Sequence, residues 1–114
     1  MSRRTSSVTR DGIGAYAEAS GDHNPIHLDE EFARSVGLPG VIAHGMLQMG
    51  QLASVAVAEA GDPRRLRRLS CRFAGMVRPG DEITYSAEPV EGGLRLSAVN
   101  QNGEAVLSKA VAEY

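Results

Sequence analysis

Two periods divide the chain. Between about Asp11 and Gly61 the apolar residues recur mainly with helical spacing; beyond Arg68 they alternate with polar ones at a period of 2. Residues 3–9 (RRTSSVT) suit a short Ser/Thr-rich strand. Thr9 can then cap a helix from about Asp11, with Ile13, Tyr16 and Ala17 as its apolar face and Gly12 and Gly14 weakening it. The segment SGDHNP breaks this pattern, because Pro25 holds Asn24 out of the helical region. Asp29 caps a second short helix (EEFARSV), stopped by Gly37 and Pro39. The longest helical signal covers 45–60 (GMLQMGQLASVAVAEA), with Gly61 as its terminator. Met46, Leu47, Met49, Leu52, Val55, Ala56 and Val57 make it apolar on nearly every side, which predicts a buried helix. Strands follow at 68–77, 82–90, 94–101 and 104–114, joined by Pro79-Gly80-Asp81, Glu91-Gly92-Gly93 and Asn102-Gly103. The economical packing is α+β, with one antiparallel sheet wrapped around one hydrophobic helix.

Composition narrows the function classes. A length of 114 residues predicts one domain over 1–114, and a net charge of −2 offers no general attraction to nucleic acid or membrane. With 4% aromatic residues and no Trp, a base-stacking surface is not expected either. The basic start MSRRTSSVTRDG is followed by no apolar run, and Leu52–Ala60 is too short to span a bilayer; both predict a cytoplasmic protein. The single cysteine, Cys71, excludes an internal disulfide and argues against a thiolate metal site. Its alternation with Leu69 and Phe73 predicts a small core residue on a strand.

All three histidines fall between Ser20 and Met46. Asp22 and His27 form an acid/base-capable pair, but residues five apart on a helix point about 140° away from each other. They can meet only if the backbone turns at Asn24-Pro25; the pair can then take a proton from water and return it to a neighbouring atom. Gly45 opens the long helix, so its N–H is an unpaired donor at the positive end of the helix dipole. Such a donor suits a carbonyl oxygen that becomes negative, and the missing Cβ permits close approach. Together these groups describe addition or removal of water next to a carbonyl. His23 reads as solvent-facing, His44 as a residue setting the helix start, and Met46, Met49 and Met76 as core filler. Arg64, Arg65, Arg67 and Arg68 form the one local charge cluster, either a solvated loop or an anion dock.

The stretch YAEASGDHNPIHLDEEFARSVGLPGVIAHGM (Tyr16–Met46), with its G-D-x-N-P-x-H and A-H-G-M, resembles the hydratase-2 motif of the MaoC-like dehydratases, the (R)-specific enoyl-thioester hydratases. MVRPGDEI (Met76–Ile83) resembles the same family's strand-turn-strand, and the order of elements fits its hotdog fold. The resemblance implies a single-hotdog subunit acting on 2-enoyl or (R)-3-hydroxyacyl thioesters of coenzyme A or acyl carrier protein. It assigns Asp22 and His27 as the catalytic pair holding the water, Asn24 as a residue orienting the loop or the water, and the Gly45 N–H as the thioester-binding group. It implies no metal and no redox cofactor. Docking of coenzyme A phosphates or of a carrier protein falls to Arg64, Arg65, Arg67 and Arg68, and the subunit is expected to pair as a homodimer or with a related hotdog chain. One departure stands out: family members often carry a Ser supporting the catalytic Asp eight residues after the helix-opening Gly, and here that position is Ala53.

Overall fold

The Ser/Thr-rich start is strand β1 (Ser2–Ser7), and it runs antiparallel to β3 (Glu82–Val90) at one edge of a five-stranded sheet. The sheet continues through β4 (Gly93–Val99) and β5 (Ala105–Glu113) to β2 (Arg68–Phe73) at the other edge, with order β1-β3-β4-β5-β2 and every pair antiparallel. This is a computed structural model, and it describes residues 1–114. Helix α4 (Gly45–Ala60) crosses one face of the sheet. Leu52, Val55 and Ala56 pack there against Ile83, Tyr85, Leu94, Leu96, Ala98, Val106 and Ala110, so the period-2 positions of the strands and the helical positions of α4 share one core. This is the hotdog arrangement.

Before α4 the chain forms three short helices, α1 (Arg10–Ser20), α2 (Pro25–Leu28) and α3 (Glu30–Ser35). Thr9 and Asp29 cap α1 and α3 as expected, accepting the N–H of Gly12 at 2.9 Å and of Phe32 at 3.0 Å. Ile13 and Ala17 bury the inner face of α1. No helix is long and apolar enough to cross a membrane.

Three expectations change. Helix α4 is buried on one side only: Gln48, Leu52, Val55, Ala56 and Ala60 face the core, while Gly45, Met46, Gly50, Ser54 and Ala58 are exposed. A single sheet covers one face of a helix, and nothing in this chain covers the other. Strand β2 stops at Phe73, four residues before the end its alternation predicts. It is an edge strand, and its register against β5 shifts between Ser70 and Arg72, where Lys109 of β5 takes a left-handed conformation (φ 48°). The three alternating residues therefore differ in fate. Leu69 and Cys71 are half-buried against the core, and Phe73 is 57% exposed. Burial pushes the Cys71 thiol pKa up. Of the methionines read as core filler, Met46 and Met76 are more than half exposed.

Candidate active site

The acid/base groups all come from the segment between the end of α1 and the start of α4. Gly21 closes α1 in a left-handed conformation (φ 78°), and the side chains of Asp22 and Asn24 tie down the backbone that follows. Asp22 Oδ1 accepts the N–H of Asn24 at 3.2 Å, and Asn24 Oδ1 accepts the N–H of Ile26 at 3.1 Å. Asn24 is the N-cap of α2 and Pro25 its first residue, where a missing N–H is no loss. The Asn-Pro pair thus turns the chain by starting one helical turn. That turn brings His27 back beside Asp22.

His27 Nδ1 donates to the Ile42 carbonyl at 2.7 Å, so in the neutral ring Nε2 is free of a proton. Nε2 lies 3.9 Å from Asp22 Oδ2. That gap is too long for a direct hydrogen bond and suits one water held by both groups. The His27 ring is 9% exposed, whereas the Asp22 side chain is 52% exposed and meets solvent. Ile42 also donates its N–H to the Ile26 carbonyl at 3.2 Å, so the loop and α2 hold each other in register.

His44 belongs to this cluster more intimately than its position before α4 implies. It is the N-cap of α4 by backbone, yet its side chain makes no capping bond. Instead Nε2 donates to the Asp22 backbone carbonyl at 3.0 Å, and the ring stacks on His27 with centroids 3.8 Å apart and planes at 24°. Tyr16 packs against the His44 ring with centroids 4.8 Å apart and planes at 61°, and His44 Nδ1 is buried without a partner. Asp22, His27 and His44 offer ligand atoms within 4.8 Å of one another. The near-parallel stacking disfavours metal capture, because an ion in the plane of one imidazole lies off the plane of the other.

Gly45 begins α4, and its N–H is bonded to no other group of the chain. A Cβ at this position would lie 2.8 Å from Cδ1 of Phe73, so glycine here lets the Phe73 ring pack directly on the helix start. Asp22, His27 and the Gly45 backbone open into one pocket of about 350 Å³, walled by Met46, Phe73, Met76, Val77, Val106 and Leu107. The structure thus brings Asp22, Asn24, His27 and Gly45 together. Ala53 offers no hydroxyl, and the Asp22 carboxylate is held by the Asn24 N–H.

The arginine cluster lies at the far end of α4, about 22 Å along its axis from Gly45. Arg64 is paired with Asp62 at 2.9 Å, while Arg65 donates to the Ala60 carbonyl at 2.8 Å and lies over the Tyr114 ring. Arg67 and Arg68 keep free guanidinium groups. His23 points outward to Glu18 at 3.0 Å, and that carboxylate raises its pKa. Sequence reasoning missed Gln48, which lines the pocket from a core-facing position of α4. The available signal was a polar residue in the apolar row that continues through Leu52, Val55 and Ala56.

A hotdog fold with an Asp-His pair facing a helix N-terminus defines the class, and the comparisons agree. Residues 1–111 match the family described as "MaoC like domain", and the chain belongs to that family. A probable enoyl-CoA hydratase 2 of Dictyostelium discoideum is 34% identical over 110 residues, covering 92% of this chain and 37% of that protein. The fatty acid synthase subunit beta of Aspergillus oryzae is 44% identical over 71 residues, covering 60% of this chain and 4% of that protein. Among solved structures, an R-hydratase of Pseudomonas aeruginosa in its unliganded form superposes with a TM-score of 0.76 at 32% identity, covering 97% of this chain and 76% of that one. The chain spans well under half the length of the curated relatives it matches.

Proposed function

We propose that this chain is a hydro-lyase interconverting trans-2-enoyl thioesters and (R)-3-hydroxyacyl thioesters carried on coenzyme A or on the phosphopantetheine of an acyl carrier protein. The observation that carries the reading is the 3.9 Å gap between His27 Nε2 and Asp22 Oδ2, opening into the same pocket as the unpaired Gly45 N–H. In the hydration direction, a water held by the pair gives one proton to it while its oxygen bonds to the β-carbon. The double-bond electrons move toward the thioester oxygen, where the Gly45 N–H and the helix dipole stabilise the developing charge. The enolate then takes a proton from the pair at the α-carbon, and the thioester has gained one water. Asn24 holds the turn that keeps Asp22 facing His27, and His44 fixes the backbone of one member and the ring of the other. Dehydration is the reverse.

The half-covered α4 and the exposed Phe73 and Met76 beside edge strand β2 support a working form of two hotdog subunits, either two copies or this chain with a related one. Incubation with a crotonyl thioester tests both parts. The expected outcome is loss of the enoyl absorbance, an (R)-3-hydroxybutyryl product, and an active species sedimenting at twice the 12.1 kDa protomer mass. A product with a shifted double bond and no added water makes the chain an isomerase. Absence of turnover, restored by a second hotdog subunit, makes it a partner in a heterodimer.

A further inference from the structure

Gln48 is the only polar residue among the five of α4 that face the core, and it is 3% exposed. It sits one turn beyond Gly45, about 4.5 Å further along the helix. The Tyr85 hydroxyl, itself buried, donates to Gln48 Oε1. Burial pushes the Tyr85 pKa up to about 12, so this hydroxyl stays a donor at any ordinary pH. That bond also orients the amide: the oxygen points at Tyr85 and the –NH2 end is left with two donors and no partner in the chain. Gln48 is a shared wall. On one side is the pocket holding Asp22, His27 and Gly45; on the other is a smaller recess lined by polar Ser6, Ser7, Thr9 and Gln51.

The tail of an acyl group whose thioester carbonyl rested on the Gly45 N–H would lie in the pocket that Gln48 lines. A purely aliphatic tail would strip the amide of water and leave its donors unpaired, whereas an oxygen two or three bonds beyond the double bond would accept from them. We propose that Gln48, held in place by Tyr85, selects enoyl and 3-hydroxyacyl thioesters whose tail carries a hydrogen-bond-accepting oxygen, a keto or hydroxyl group, over all-carbon tails of the same length. This rests on the hydratase reading above.

The test compares 2-hexenoyl-pantetheine with 5-oxo-2-hexenoyl-pantetheine, using the wild type and the double variant Gln48→Leu/Tyr85→Phe. In that variant both partners of the buried bond become apolar, so neither is orphaned. Wild type is expected to favour the oxo substrate in kcat/KM by about three- to tenfold, the worth of one neutral hydrogen bond, and the variant to lose or invert that preference. Calorimetric affinities for the saturated hexanoyl and 5-oxohexanoyl analogues should show the same change without any turnover. Equal preferences in the two proteins, by rate and by affinity, overturn the selection. If crotonyl thioester is not hydrated but the affinity preference stands, the hydratase reading falls and the selection survives.

Discussion

Gly45 is the residue on which chemistry and packing meet. In the proposed function its N–H holds the thioester oxygen, and its Cα lies directly against the Phe73 ring. Gly45→Ala is therefore expected to lower kcat/KM by at least tenfold and to cost about 1–3 kcal/mol of stability through overpacking, although alanine is the better helix former. Phe73→Ala in the same chain opens the space, so denaturant titration of the double variant should recover most of the lost stability. A cost unchanged by Phe73→Ala would mean that the ring does not set the requirement. The placement of Asp22, Asn24, His27 and Gly45 was legible at this scale, because it follows from local rules of turns, caps and helix ends. That of His44 and Gln48 was not: stacking on His27 and the bond to Tyr85 join residues 17 and 37 positions apart, and no local pattern encodes such pairings.

Among the elements, the loop from Val36 to His44 behaves as a strap tied down by α3. Glu30 Oε2 accepts the Val41 N–H at 3.2 Å and Arg10 at 3.1 Å, while Oε1 accepts Arg34 at 3.3 Å and lies 3.9 Å from Arg78. A Cβ on Gly40 would overlap the Glu30 carboxylate, so the loop runs as close to this anchor as its backbone allows. The strap carries Ile42, the acceptor that fixes the His27 tautomer. Its N–H bond from Val41 is the largest cause holding the Glu30 carboxyl below its ordinary pKa of 4.5, with Arg10 adding to it. A carboxylate whose pKa is lowered by folding contributes stability that is complete above its unfolded value and is lost as pH falls through the folded one. Thermal melts are expected to drop less steeply below pH 4.5 for Glu30→Gln than for wild type. Parallel slopes would show that the strap does not depend on this charge. The caps of α1 and α3 were readable because Thr9 and Asp29 act on their own first turns; the four-partner anchor at Glu30 joins three separate segments and was not.

For the whole molecule, the order of elements and the single sheet around α4 follow from the switch between helical and alternating periods. Which side of α4 is covered does not. A uniformly apolar helix in a one-sheet fold keeps a bare face, and Met46, Phe73 and Met76 cluster on that open side near the pocket mouth. Apolar residues that would be core in a two-layer domain are here the surface on which a second hotdog subunit is proposed to close. The β2 alternation misleads for a related reason, since the Lys109 bulge and the sheet edge release Phe73 from the core pattern. The proposed function rests on one arrangement: Asp22 and His27 placed 3.9 Å apart, in the same pocket as the unpaired Gly45 N–H. The direct measurement is the initial rate of crotonyl-thioester hydration by wild type, Asp22→Asn and His27→Ala, with circular dichroism confirming that the variants are folded. Loss of general acid–base assistance predicts a fall in kcat of about 10²- to 10⁴-fold for each variant. Turnover in either folded variant comparable to wild type would contradict the assignment.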